Sequence, residues 1–226
     1  MVEFSTVLLL AFTSLFPVVN PIGVAPIFLS LTQQYPQDVR RVLARKIAAY
    51  SFAILVVSLL FGTVILSFFG ISLAVIQIAG GLLVATTGWK LLNQESAEPA
   101  GQPARAAPAD ALTKAFFPLT LPITVGPGSI GIAITIGADL RQELGAGLMR
   151  GIPRRFAAAL LGMLLLCVLI MVCYTRAERM ATRLGSSGTN ILLRLSAFIL
   201  FAVGVQIVWN GLTLGLPQVF APAGAH

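Results

Sequence analysis

Few side chains in this sequence could do chemistry, and those that could gather at two proline-rich interruptions of apolar stretches. Residues 16–27 read FPVVNPIGVAPI and residues 117–128 read FPLTLPITVGPG. Phe16, Pro17, Pro21, Ile22, Val24 and Pro26 of the first recur in register as Phe117, Pro118, Pro122, Ile123, Val125 and Pro127 of the second. Proline lacks the backbone N–H and its ring clashes with the preceding turn, so each copy breaks or kinks a helix and strands peptide groups without helical partners. Inside a bilayer such groups are tolerated only against protein or a water-filled cavity. Freed amides at the start of a half-helix after Asn20 or Gly126 suit a carboxylate, and freed carbonyls suit an ammonium group. The nearby polar side chains, Asn20, Thr120, Thr124 and Ser129, are small and uncharged. The candidate substrate-binding set is therefore Asn20, Pro21, Gly23, Thr120, Thr124, Gly126, Pro127, Gly128 and Ser129, and its complementary ends fit a small zwitterion. The competing reading, in which the prolines only kink helices for packing, explains one break as well as binding does and the matched pair less well.

Beyond the breaks, Gln77 and Arg194 complete the candidate set. Arg194 stands near the start of an apolar stretch, where it either lines a pathway and meets a carboxylate or reaches out to the headgroups. Gln77, Gln206 and Asn210 carry amides that serve equally as glue between helices. None of the acidic residues, Glu3, Asp38, Glu95, Glu98, Asp110, Asp139, Glu143 and Glu178, falls deep in an apolar stretch, so no buried carboxylate relay for protons is expected. The single histidine is His226, which argues against a Ser-His hydrolytic site. Cys167 and Cys173 match neither a redox nor a metal motif and read as packing residues. We therefore expect no enzyme activity, no metal and no cofactor. Coupling to H+ or Na+ through backbone and hydroxyl oxygens stays open.

The elements that must position these residues are membrane helices. Of 226 residues 57% are hydrophobic and 10% charged, and the mean hydropathy is +0.92. Stretches near the length needed to span, roughly 20 residues, lie at 5–31, 47–69, 71–92, 114–138, 156–175 and 190–215, with a tight hairpin at Phe69-Gly70-Ile71. The first lacks a cationic start and a convincing cleavage site, so it reads as a retained span rather than a leader. Three spans per repeat reverse the direction of the second copy. The expected fold is thus an all-α integral membrane protein of six transmembrane segments in two inverted three-helix repeats, with segments one and four broken or re-entrant. Residues 1–92 form the first repeat, 93–113 a cytoplasmic linker rich in Ala, Pro and charge, and 114–226 the second repeat. Small residues stripe segment three (Gly81 and Gly88, in line with Gln77 and Val84) and segment six (Ala197, Gly204 and Gly211), as close helix approach requires.

The net charge of +7 comes from basic residues beside the spans, without aromatic interleaving for nucleic acid. Arg40, Arg41, Arg45, Lys46, Lys90, Arg105, Lys114, Arg176, Arg179 and Arg183 fall on one side, against Arg141, Arg150, Arg154 and Arg155 on the other. The positive-inside rule then puts both termini in the periplasm. Trp89 and Lys90 read as interfacial anchors.

At Asn20-Pro21-Ile22-Gly23 with Pro26-Ile27-Phe28, and at Pro118-Leu119-Thr120-Leu121-Pro122 running into Gly126-Pro127-Gly128-Ser129-Ile130, the chain resembles the MarC family of bacterial and archaeal inner-membrane proteins. The resemblance extends to Ala79-Gly80-Gly81, Gln206 and Asn210-Gly211, and so covers essentially the whole chain. It departs from the family at Arg194-Leu195-Ser196-Ala197, where the family usually has an Arg-Ile-Met-Gly run. The resemblance implies secondary transport of small neutral amino acids, glycine and alanine in particular, across the inner membrane by alternating access, with Asn20 and the Gly126–Ser129 turn near the substrate. The partners expected are a small zwitterionic solute and the bilayer, with self-association left open. The rival readings are an exporter of another small solute and a non-transporting scaffold that pairs through its glycine stripes.

Overall fold

Hydropathy locates where a helix is apolar, and the helices run beyond those limits wherever the flanking residues also favour helix. The computed structural model describes residues 2–93, 113–145 and 152–220. Within them α1 (Val2–Val19) and α2 (Pro21–Thr32) form one bent pair, and α5 (Ala115–Thr124) and α6 (Pro127–Gly145) another. The remaining helices are α3 (Gln37–Phe68), α4 (Leu73–Leu92), α7 (Ile152–Thr175) and α8 (Ala177–Phe220). Four helices are long and apolar enough to cross a membrane, or six segments if each bent pair is one span. The protein is all-helical over the described residues, as expected. Most of the linker expected at 93–113 lies outside them.

α3 starts at Gln37, not near residue 47, because Gln37 to Lys46 is rich in helix formers and carries Asp38 in the first turn, where the helix dipole favours it. The basic cluster Arg40, Arg41, Arg45 and Lys46 therefore rides on a helix that projects past the apolar region. α8 likewise begins at Ala177, carries Arg179 and Arg183, and breaks at Gly185, whose φ of 65° suits glycine. The α3–α4 hairpin closes as the sequence indicates: Gly70 adopts φ 65°, Ile71 N–H donates to Leu66 O at 2.9 Å, and the Ser72 hydroxyl caps Val75 N–H at 3.3 Å.

The main apolar cluster joins α1, α2, α3, α5, α6 and α7, with Leu15, Phe28, Leu43, Ile47, Leu55, Leu59, Met163, Leu166 and Ile170 wholly buried. Cys167 and Cys173 are free thiols inside it, consistent with packing. Glycines set the closest approaches. A Cβ on Gly162 of α7 would meet Leu8 O of α1 at 2.7 Å, and one on Gly62 of α3 would run into Ile134 of α6.

Beside this cluster α4 and α8 pack antiparallel. A Cβ on Gly81 would lie 2.6 Å from Val208 N, one on Gly88 2.5 Å from Phe201 N, and one on Gly211 2.8 Å from Ala74 O. The two small-residue stripes read from the sequence face each other, so backbone meets backbone. They are occupied within the chain, which removes Gly81 and Gly88 as surfaces for pairing with a partner. Gly204→Val should cost about 1–3 kcal/mol of stability, as overpacking of a tight contact does. Gly131→Ala, whose Cβ would meet only Ile76 at an ordinary 3.6 Å, should be nearly neutral. Thermal unfolding of the two variants in detergent, compared with the parent, checks the contrast, and equal melting would refute the packing.

Two side-chain links tie opposite ends of α3 to the second half of the chain. Arg40 Nη2 pairs with Glu178 Oε2 at 2.7 Å, and Arg141 Nη1 donates to Thr63 Oγ1 at 2.6 Å. The α2–α3 and α7–α8 corners therefore share one end of the bundle, and the far ends of α3 and α6 share the other.

Candidate functional site

The first break forms because Pro21 cannot donate to the Pro17 carbonyl. The last bond of α1 is Asn20 N–H to Phe16 O at 2.8 Å, and the first of α2 is Val24 N–H to Asn20 O at 3.0 Å. Between them, among the described residues, no backbone bond joins Ile22 to Val18 or Gly23 to Val19. The carbonyls of Pro17, Val18 and Val19 and the Ile22 N–H consequently face the break without helical partners. Asn20 makes the turn with φ 42° and ψ 58°, a left-handed conformation that asparagine tolerates better than most residues. Its Oδ1 accepts from Gly23 N–H at 3.2 Å, so it caps α2, and Pro21 takes the first helical position. The α1–α2 bend is 40°.

Sequence reasoning missed the residue that completes this break. Ser196 of α8 is 8% exposed, and its hydroxyl, together with Asn20 Nδ2, crowds the point where a Gly23 Cβ would stand. Neither the Ser196 hydroxyl nor the Asn20 NH2 group has a hydrogen-bond partner among the described residues. Two small polar groups thus stand together at the start of α2, and glycine at position 23 leaves the room between them.

The second break is built differently. α5 winds in wide turns, with Leu119 N–H bonded to Lys114 O at 3.3 Å and Val125 N–H to Thr120 O at 2.9 Å, five residues apart in each case. Phe117 and Leu121 leave helical geometry, and the peptides before Pro118 and Pro122 are cis. Thr120 and Thr124 are buried, and their hydroxyls donate to the Ala115 and Leu119 carbonyls, each at 2.7 Å. Thr124 Oγ1 also lies 2.9 Å from Tyr174 Oη, whose ring stacks on Phe28 with centroids 4.6 Å apart. Tyr174, which carries no sequence signal, therefore touches both broken segments. After Val125 the chain bends by 71° into α6. There Ser129 Oγ accepts from Gly126 N–H at 3.1 Å and donates to Gly126 O at 2.9 Å, closing the turn on itself with Pro127 again at the helix start.

The two breaks touch, and each closes its own polar contacts. A Cβ on Gly128 would meet Val18 at 3.3 Å, Ile207 of α8 at 3.3 Å and Val84 of α4 at 2.8 Å, so four elements converge on that glycine. Gly80 packs on Pro127, its Cβ position 3.0 Å from the carbonyl carbon. Along α8, Ser196 marks the first break and Ile207 the second, about 16 Å apart at 1.5 Å per residue. The first break, with its free donors, is the better cradle, and the second is the packed seat beside it.

Of the remaining candidates, Gln77 Nε2 donates to Thr135 Oγ1 of α6 at 3.2 Å, while its Oε1 is buried without a partner. Gln77 therefore ties α4 to the helix that leaves the second break. Arg194 is exposed, two residues before Ser196.

Comparison with known proteins agrees with this architecture. Residues 5–216 match the family described as MarC family integral membrane protein. A UPF0056 membrane protein of Methanocaldococcus jannaschii is 33% identical over 204 residues, covering 90% of this chain and 95% of that protein. The UPF0056 membrane protein YvbG of Bacillus subtilis is 31% identical over 203 residues, with 89% and 92% covered. The UPF0056 inner membrane protein MarC of Salmonella typhimurium is 29% identical over 204 residues, with 87% and 90% covered. No solved structure matches the chain. With the match running from the first helix to the end of the apolar part of α8, the chain belongs to the MarC family of integral membrane proteins.

Proposed function

We propose that this protein carries small neutral zwitterions, of the size of glycine or alanine, across the inner membrane by alternating access. The observation that carries the reading is the first break. Carbonyls freed at the end of α1 suit an ammonium group, and the Ile22 N–H, the Asn20 NH2 and the dipole at the start of α2 suit a carboxylate. The Ser196 hydroxyl supplies a further donor or acceptor within the same space. No charged side chain is needed, which fits a substrate with no net charge.

Reading the two halves as inverted repeats fits the mechanism. α4 and α8 are antiparallel counterparts, α2 of the first half lies on α8 through Gly23 and Ser196, and α6 of the second lies on α4 through Pro127 and Gly80. α1 packs on α7 and α6 packs on α3, again across the halves. Such an exchange gives two similar arrangements related by rocking one bundle against the other. The basic end carrying the Arg40–Glu178 pair faces the cytoplasm by the positive-inside rule, with both termini in the periplasm. A relative named as an inner membrane protein supports the location.

Purified protein in proteoliposomes, given labelled glycine or alanine under imposed Na+ or H+ gradients, tests the reading. Saturable flux above empty liposomes is the expected result. Folded, inserted protein that gives no flux under either gradient would overturn it.

A further inference from the structure

The apolar stretch of α8 runs from Arg194 to Leu216, and two amides stand in its middle. Gln206 and Asn210 are both exposed on the helix surface. Gln206 Nε2 donates to Asn210 Oδ1 at 2.9 Å, which satisfies one donor and one acceptor and leaves Gln206 Oε1 and the Asn210 NH2 without partners among the described residues. In hydrocarbon an unsatisfied amide is costly, and an exposed one at this depth needs a neighbour that can hydrogen-bond.

The amides lie on the side of α8 opposite Ala197, Gly204 and Gly211, the face already committed to α4. On their own side, Ala202 and Thr213 are also exposed, one helical turn away in each direction. That side sets Ala202, Gln206, Asn210 and Thr213 among the exposed Ile199 and Trp209, where a helix facing only lipid tails would be apolar throughout.

We propose that this face of α8 is the docking surface for a second copy of the chain, related by a two-fold axis along the membrane normal. Self-pairing fits the chemistry without further assumptions. Copies inserted in one direction hold Gln206 and Asn210 at the same depths, and each amide offers both a donor and an acceptor, so identical surfaces complete each other. Ala202 lets the two backbones approach closely enough for the amides to meet. The inference rests on the membrane fold and not on what is transported, so absence of flux leaves it standing.

The full chain in bilayer nanodiscs or proteoliposomes provides the test. Ala202→Cys and Thr213→Cys should each form cross-linked dimers on oxidation, while Leu164→Cys, on an exposed lipid-facing position of α7, should not. The native Cys167 and Cys173 are buried and give the background. Replacing both amides, Gln206→Leu with Asn210→Leu, should weaken dimer association about tenfold, as loss of interhelical hydrogen bonds predicts. Both leucines suit a lipid-facing helix, and the cysteine variants keep the amides intact. A monomeric parent protein, cross-linking no greater than that of Leu164→Cys, or a double-leucine variant that dimerises like the parent would each overturn the proposal.

Discussion

Asn20→Ala is expected to lower saturable glycine or alanine flux by about tenfold or more, with the protein still inserted. Alanine removes three things at once. The cap on Gly23 N–H is lost, which costs about 1 kcal/mol at a helix start. The left-handed backbone conformation becomes strained, because alanine has no side chain to bond locally there. The NH2 group beside Ser196 disappears, and with it a donor for the carboxylate. Tenfold corresponds to ~1.4 kcal/mol, within reach of one lost polar contact to a charged group.

Asn20→Gly separates these effects. Glycine adopts the left-handed conformation freely and substitutes for an asparagine cap at a cost of only a few tenths of a kcal/mol. The glycine variant should therefore melt close to the parent yet transport as poorly as the alanine variant. Normal flux in Asn20→Gly would reduce Asn20 to a hinge and remove it from the binding site. Ser196→Ala should raise the KM for flux several-fold with unchanged melting, since the change deletes an unpartnered hydroxyl and adds no bulk.

What could be read from the sequence follows the range of the forces involved. Apolar length and proline position are local properties, and they located the spans, the Gly70 hairpin and the breaks beside Asn20 and Gly126. The glycine stripes announced close packing. They could not say that Gly81 and Gly204 pack on each other, because a stripe specifies a face and not its partner. The start of α3 at Gln37 was not legible, since hydropathy registers the apolar region and is blind to a charged continuation with good helix propensity.

The site was only partly legible for a related reason. Asn20, Pro21 and Gly23 do form one local unit, as their spacing indicates. Ser196 reaches that unit from α8 and Tyr174 reaches both breaks from α7, contacts that depend on how distant segments pack. Thr120 and Thr124 looked free for a solute, yet the wide turns of α5 bring carbonyls five residues back within reach of their hydroxyls. That winding follows from the way Phe117 and Leu121 depart from helical geometry, which composition does not encode. The contact between the breaks, Val18 on Gly128, likewise depends on how distant segments pack.

Gly128→Val is expected to abolish flux and to lower thermal stability by about 1–3 kcal/mol, the usual range for overpacking. The reason is placement. Its Cβ position lies 2.8 Å from Val84, and 3.3 Å from both Ile207 and Val18, so valine would press on α4, α8 and the last turn of α1 together. A rearrangement that moves one broken segment past the other would disturb this contact. Gly126, two residues earlier, has only Pro122 O nearby, at 3.2 Å, and no positive φ, so Gly126→Ala should be much milder. Of the two candidate glycines in this turn, Gly128 is therefore the one more sensitive to an added side chain. A rescue distinguishes local crowding from general misfolding: Val84→Ala removes the nearest methyl and should restore part of the stability and flux of Gly128→Ala, because contacting residues couple by about 0.5–3 kcal/mol. Strict additivity of Gly128→Ala and Val84→Ala, or parent-like flux in Gly128→Val, would show that the two breaks do not bear on each other through this glycine.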